Sequence, residues 1–181
     1  MKSESNITIK EVLDGDELKK FVMFPHTLYK NSKYWVAPII KEELEVLNKE
    51  INPVFNNALA HYFLAYIDGE IVGRIAALIN WVEVKDLKKK KVRFGWFDFI
   101  DDINVSKALL GKVIEIGKKN NLEFIEGPVG FSNMDKAGML IKGFEKKNTM
   151  ITMYNYSYYQ NHMKAHGYSK LAEWVEYESL K

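Results

Sequence analysis

HYFLAYIDGEIVGRIAALIN, residues 61–80, is two apolar runs joined by Asp68-Gly69. An Asp-Gly pair favours a two-residue hairpin turn, because both central positions need positive φ, so the stretch predicts two antiparallel strands. Each run is apolar at consecutive positions instead of alternate ones, which marks strands buried on both faces. The hairpin therefore belongs inside a sheet with cover on each side, and the flanking sequence has to supply that cover.

Upstream, NITIKEV (6–12) alternates as a short first strand. LDGDELKKFVMFPHTLYK (13–30) opens a helix with Asp14 three residues before Glu17, an acidic form of the capping box, and Pro25 is expected to bend or end it. APIIKEELEVLNKE (37–50) predicts a second helix, with Pro38 in its first turn and Ile40, Leu44, Leu47 and Ile51 at helical spacing. Downstream, VRFGWFDFID (92–101) is a strand, and NVSKALLGKVIEIGKKNN (104–121) is a helix with Val105, Leu109, Val113 and Ile116 as its stripe. LEFIEGPV (122–129) is a strand stopped by Gly127-Pro128, YYQNHMKAHGY (158–168) a short helix closed by Gly167, and AEWVEYESL (172–180) a last strand. The expected order is β-α-α-β-β-β-α-β-α-β. Its fold class is α/β (α+β), with a mixed, mostly antiparallel central sheet and helices on both faces.

The 181 residues, 47% apolar and 28% charged, fit a single domain spanning 1–181. The chain has no cysteine, which excludes disulfides, thiol nucleophiles and thiolate zinc sites. MKSESNITIK has no apolar leader and no run reaches the ~18 apolar residues of a membrane span, so a soluble, cytoplasmic protein with no membrane partner is expected. The net charge of +2 comes almost entirely from lysine, Arg74 and Arg93 being the only arginines. Bidentate reading of phosphates and guanine edges favours arginine, which speaks against a nucleic-acid partner. KDLKKKKVR (85–93) is expected to be a solvated connection.

The order of elements, the hairpin DGEIVGRIAAL (68–78) and the helix end HMKAHGY (162–168) together resemble the GNAT family of acyl-CoA-dependent N-acyltransferases over about residues 7–178. The resemblance implies acetyl-CoA or another acyl-CoA as co-substrate and an amine of a small molecule as acceptor. It also implies a pyrophosphate site between the fourth strand and the third helix, built in that family on an Arg/Gln-x-x-Gly-x-Gly/Ala loop. Here the place is taken by DDINVSKALLG (101–111), which lacks the early glycines. Asn104, Val105, Ser106 and Lys107 remain the cofactor-binding candidates, through amides, a hydroxyl and an ammonium. Asp101 and Asp102 at the helix entry raise three readings, a helix cap, a cation cup or an altered anion site, of which a cap by Asp102 that weakens CoA binding is the expected one.

Asp98 interrupts an aromatic strand and Glu126 ends the strand expected beside it. Two carboxylates meeting there would serve as general base for an amine, directly or through water. The family's general acid for the departing thiolate is a tyrosine on its fourth helix, and the resemblance carries this role to Tyr159. His162 and His166 have the spacing of a metal pair without a third ligand, so no metal is assigned and a surface pair is expected. GPVGFSNMDKAGMLIKGF (127–144) is rich in glycine and apolar residues for a loop, and Asn133, Met134 and Asp135 are candidates for an acceptor pocket; a buried irregular connection is the alternative. Acyl transfer to a small-molecule amine is the leading expectation. The rival is a catalytically silent GNAT-fold binding or interaction module. The short stretch after Gly167 leaves a sheet edge open, from which a homodimer, or a domain cut from a longer relative, is expected.

Overall fold

The computed structural model describes residues 6–132, 134–149 and 152–177. Its elements follow the chain as β1 (Thr8–Glu11), α1 (Gly15–Leu28), α2 (Ile40–Leu47), a 3-10 turn (Pro53–Asn56), β2 (Ala58–Ile67), β3 (Glu70–Asn80), α3 (Trp81–Lys85), β4 (Lys91–Phe99), α4 (Ile103–Lys119), β5 (Phe124–Glu126) and α5 (Tyr158–Ala165). The sheet runs β1-β2-β3-β4-β5, antiparallel except for the parallel pair β4-β5. Its class is the mixed, mostly antiparallel one expected.

At the hairpin, Asp68 (φ 50°) and Gly69 (φ 85°) both take positive φ, and Ile67 pairs with Glu70. Alternate residues of β3 then face opposite layers. Ile75, Ala77 and Ile79 join a core with Val105, Leu109 and Val113 of α4, while Ala76 and Leu78 join a second core with Phe21 and Val22 of α1 and Leu47 of α2. Cover on both faces explains why both strands are apolar throughout. Gly73 lets α4 lie close, since a Cβ there would stand 2.8 Å from Leu109 Cδ1 and 3.1 Å from Val105 Cγ1.

The cap of α1 forms, with the return bond of the box one residue before the N-cap. Asp14 Oδ1 accepts from Glu17 N–H at 2.8 Å, and Glu17 Oε2 accepts from Leu13 N–H at 2.8 Å. Pro25 is tolerated inside the helix, which continues to Leu28. Three expectations need correction. Ile51 lies beyond α2 and is exposed, because the helix stops at Leu47. The basic run is only partly solvated: Lys91 and Arg93 are buried in β4, held by Glu83 of α3 and by Glu126. The last strand does not form over residues 172–177, where the chain lies outside the sheet with Trp174, Val175 and Tyr177 exposed; residues 178–180 lie outside the described part. A strand needs a paired neighbour, and β5 offers three residues already paired to β4 on one side.

Candidate active site

Strands β4 and β5 stay together only from Lys91↔Phe124 to Arg93↔Glu126. One further bond follows, Val129 N–H to the Phe94 carbonyl at 2.8 Å, and then β4 runs on to Phe99 without a β5 partner. On its other side β4 carries a bulge: between Ala76↔Gly95 and Arg74↔Asp98, three steps of β4 oppose two of β3. Trp96, inside this bulge, adopts φ 45°, a conformation a bulky residue rarely takes. A cleft of about 220 Å³ opens there, bounded by Trp96, Phe97 and Asp98 of β4, by Pro128 and Gly130 beyond β5, and by the end of α1 and the start of α5.

A chain of hydrogen bonds lines the cleft. Arg74 donates from Nε and Nη2 to Asp98 Oδ2, both at 2.7 Å, and Tyr29 donates to Asp98 Oδ1 at 2.8 Å. Tyr29 has then spent its only proton, so across the 2.8 Å contact between the two hydroxyls Tyr159 must be the donor. The Tyr159 oxygen in turn accepts from Phe99 N–H at 3.1 Å. Direction is thus fixed by valence, from the backbone of β4 through Tyr159 and Tyr29 to the carboxylate. Tyr29 and Tyr159 are 1% and 2% exposed, and both hydroxyls have pKa values raised well above 10, chiefly by burial and then by the negative Asp98. Tyr29 arrives as the residue closing α1, and Tyr159 from the first turn of α5.

Glu126 is not part of this group. Its register partner is Arg93 and its carboxylate contacts Lys91 Nζ, in a network with Glu83 at the closed end of β4. Asp98 and Glu126 were expected to meet; the strands part between them, and each carboxylate found its own cation. Asp135 borders the cleft, but its Oδ2 is occupied by Ser132 N–H at 2.7 Å and the Ser132 hydroxyl at 3.2 Å. Met134 points to solvent, and Asn133 lies outside the described residues.

The helix entry is capped. Asp102 Oδ1 accepts from Asn104 N–H at 2.8 Å, and its carbonyl accepts from Val105 N–H at 3.1 Å and Ser106 N–H at 3.3 Å. The Val105 and Ser106 side chains are buried, Asn104 and Lys107 exposed. The amides that a pyrophosphate would use are therefore engaged, with Asp102's own carboxylate on the first of them. These residues do not fit the pyrophosphate of coenzyme A as the glycine loop of the resembled family would. Beside the cap, Asp101 Oδ1 meets His162 Nε2 at 2.9 Å, and Ser106 Oγ meets His162 Nδ1 at 2.9 Å and His166 Nε2 at 2.8 Å. The histidines are thus no surface pair; they lock α5 to α4. Among the described residues no group of three His, Cys, Asp or Glu is placed to hold a metal.

Sequence reasoning missed Arg74, Tyr29, Trp96 and Glu43, all of which border the cleft. Arg74 carried a signal, being one of two arginines and lying in the apolar strand β3, where a charge needs a buried partner. The others carried none.

The fold of the GNAT N-acyltransferases is what this architecture amounts to. A predicted acetyltransferase from Clostridium acetobutylicum, solved with acetyl-CoA, superposes with a TM-score of 0.58 at 14% identity, covering 95% of this chain and 96% of that one. No family model matches. In sequence, the chain is 30% identical to protein YghO of Escherichia coli over 95% of its own length and 45% of that protein. It is 24% identical to a bacterial ceramide synthase of Caulobacter vibrioides over 98% of its length and 46% of that enzyme. The chain thus spans about half the length of the curated relatives it matches.

Proposed function

We propose that the cleft between β4 and β5 transfers an acyl group from a thioester to the amine of a small molecule. The observation that carries this is the hydrogen-bonded line Phe99 N–H, Tyr159, Tyr29, Asp98 along an opening of the sheet. When an amine attacks a thioester, the nitrogen must lose a proton and the sulfur must gain one. The line links the two needs: Asp98 takes the proton from nitrogen and, once protonated, becomes a donor to Tyr29, whereupon both hydroxyls turn round, Tyr29 passing its proton to Tyr159 as Tyr159 passes its own to sulfur. Atoms and charge balance, and no free tyrosinate accumulates, as the raised pKa values of both hydroxyls require. An amide of β4 beyond Arg93, where no β5 ladder continues, polarises the thioester carbonyl.

Support for an amine acceptor comes from the ceramide synthase relative, since a ceramide is the amide of a fatty acid with a long-chain amino alcohol. Acyl-CoA as the donor is supported by the acetyl-CoA complex of the structural neighbour, and weighed against it is the capped end of α4. Thiol release from acetyl thioesters, measured with and without a panel of primary amines, tests the proposal. Amine-dependent release that falls in Tyr159→Phe at unchanged fold supports it. Release that ignores both amine and substitution favours the silent binding module.

A further inference from the structure

Glu43, in the first turn of α2, borders the same cleft as Asp98. Its Oε2 accepts the indole N–H of Trp96 at 2.7 Å, and its Oε1 has no hydrogen-bond partner among the described residues. Trp96 is the bulge residue with φ 45°, so a strained stretch of backbone holds this indole on the carboxylate. Among the described residues no cation forms an ion pair with it. Arg74 is committed to Asp98 and, through Nη1, to the Phe21 carbonyl at 2.9 Å; Lys136, the other cation bordering the cleft, forms no ion pair among the described residues. His26, in a T-shaped ring contact with Trp35, has its pKa lowered by burial and then by Arg74, against the opposing pull of Glu43. The surrounding wall is aromatic, with Trp35, Trp96 and Tyr154. A carboxylate without a counter-ion, set among aromatic rings, matches an organic cation. The carboxylate meets the charged nitrogen and the rings meet its polarised CH groups.

We propose that Glu43 anchors the acceptor as its ammonium, so that the acceptors are cationic primary amines with an apolar flank and neutral alcohols are refused. The anchor rests on the transfer function proposed above. The ammonium yields one proton to water before attack, and the neutral amine yields the second to Asp98. Glu43 is thus a positioning residue, distinct from the hydroxyl line.

Calorimetry at neutral pH and low salt decides this without any acyl donor, using phenethylamine, which is cationic there, and phenethyl alcohol, its neutral counterpart. Wild-type protein is expected to bind the amine more tightly than the alcohol. Glu43→Gln, which keeps an acceptor for Trp96, is expected to weaken the amine about tenfold and the alcohol less than about twofold. Glu42→Gln, the same charge change on an exposed neighbour outside the cleft, is expected to match wild type. An amine bound no better than the alcohol, or unaffected by Glu43→Gln, overturns the anchor. An anchored amine that is never acylated would leave the anchor standing and remove the transferase.

Discussion

Tyr29 has one proton to give and two neighbours, the Asp98 carboxylate and the Tyr159 hydroxyl, which makes it the hinge of the site. Tyr29→Phe leaves Tyr159 with a buried proton and no acceptor, a loss of about 1–3 kcal/mol by chemical denaturation. It should also slow transfer at least about tenfold with little change in donor affinity. Tyr159→Phe should do the same, and the double variant should fall short of the product of the two, because both interrupt one line. Additive effects would mean two independent structural bonds. Asp98→Ala is a poorer probe, since stranding buried Arg74 costs about 3–5 kcal/mol and confounds activity with folding. The histidines give a second residue-scale prediction. Burial lowers the pKa of His26 and His166 below the ordinary 6.5, so the unfolded chain takes up protons first. Their contribution is full above about 6.5 and is lost as pH falls through the lower folded values, so the melting temperature should decline from neutral pH into the acid range. His26→Gln should flatten that decline. An identical slope would remove His26 from the account. Asp98 and Tyr159 were legible as isolated chemistry in the sequence; Tyr29, sixty-nine residues from Asp98, was not, because no local spacing records which helix end arrives over which strand.

The cap of α4 decides what the element can bind. Asp102→Ala removes a carboxylate from Asn104 N–H and should cost about 1 kcal/mol, roughly 2–4 °C in melting temperature for a chain of this size. Asp102→Asn keeps an oxygen for the amide and should cost little. With the amides engaged, a donor gains little from a pyrophosphate. S-acetylpantetheine, which has the thioester arm and no phosphate, should support transfer within about threefold of acetyl-CoA, and Asp102→Asn should shift the ratio toward acetyl-CoA by relieving one repulsion. A hundredfold preference of wild type for acetyl-CoA would show that the cap opens. The element scale was the most readable in sequence. The Asp-Gly hairpin, the Asp14–Glu17 box and the stripe Val105, Leu109, Val113, Ile116 all express short-range periodicity and turn chemistry. The last strand failed for a non-local reason: alternation makes a segment able to pair, and only a neighbour of sufficient length makes it pair, where β5 offers three residues.

At the scale of the whole molecule, β5 is a three-residue edge with Phe124 exposed, and the segment carrying Leu171, Trp174, Val175 and Tyr177 presents apolar side chains outside the sheet. Among the described residues no helix is long and apolar enough to cross a membrane. An uncovered edge and an exposed apolar segment favour association, so a homodimer at high micromolar concentration is the expected state by light scattering, weakened by Val175→Lys. A monomer at every concentration would contradict it. The cleft lies between β4, the post-β5 segment, α1 and α5, and so needs the whole described fold to assemble it. Direct detection of the amide is the plainest test of the cleft's chemistry. Wild-type protein, a cationic primary amine and S-acetylpantetheine or acetyl-CoA are incubated together, and the amine is followed by mass spectrometry. Acetylation of nitrogen that depends on the protein and drops in folded Tyr29→Phe is the predicted result; an amine left unmodified with both donors, or acetylated equally by Tyr29→Phe, would contradict it.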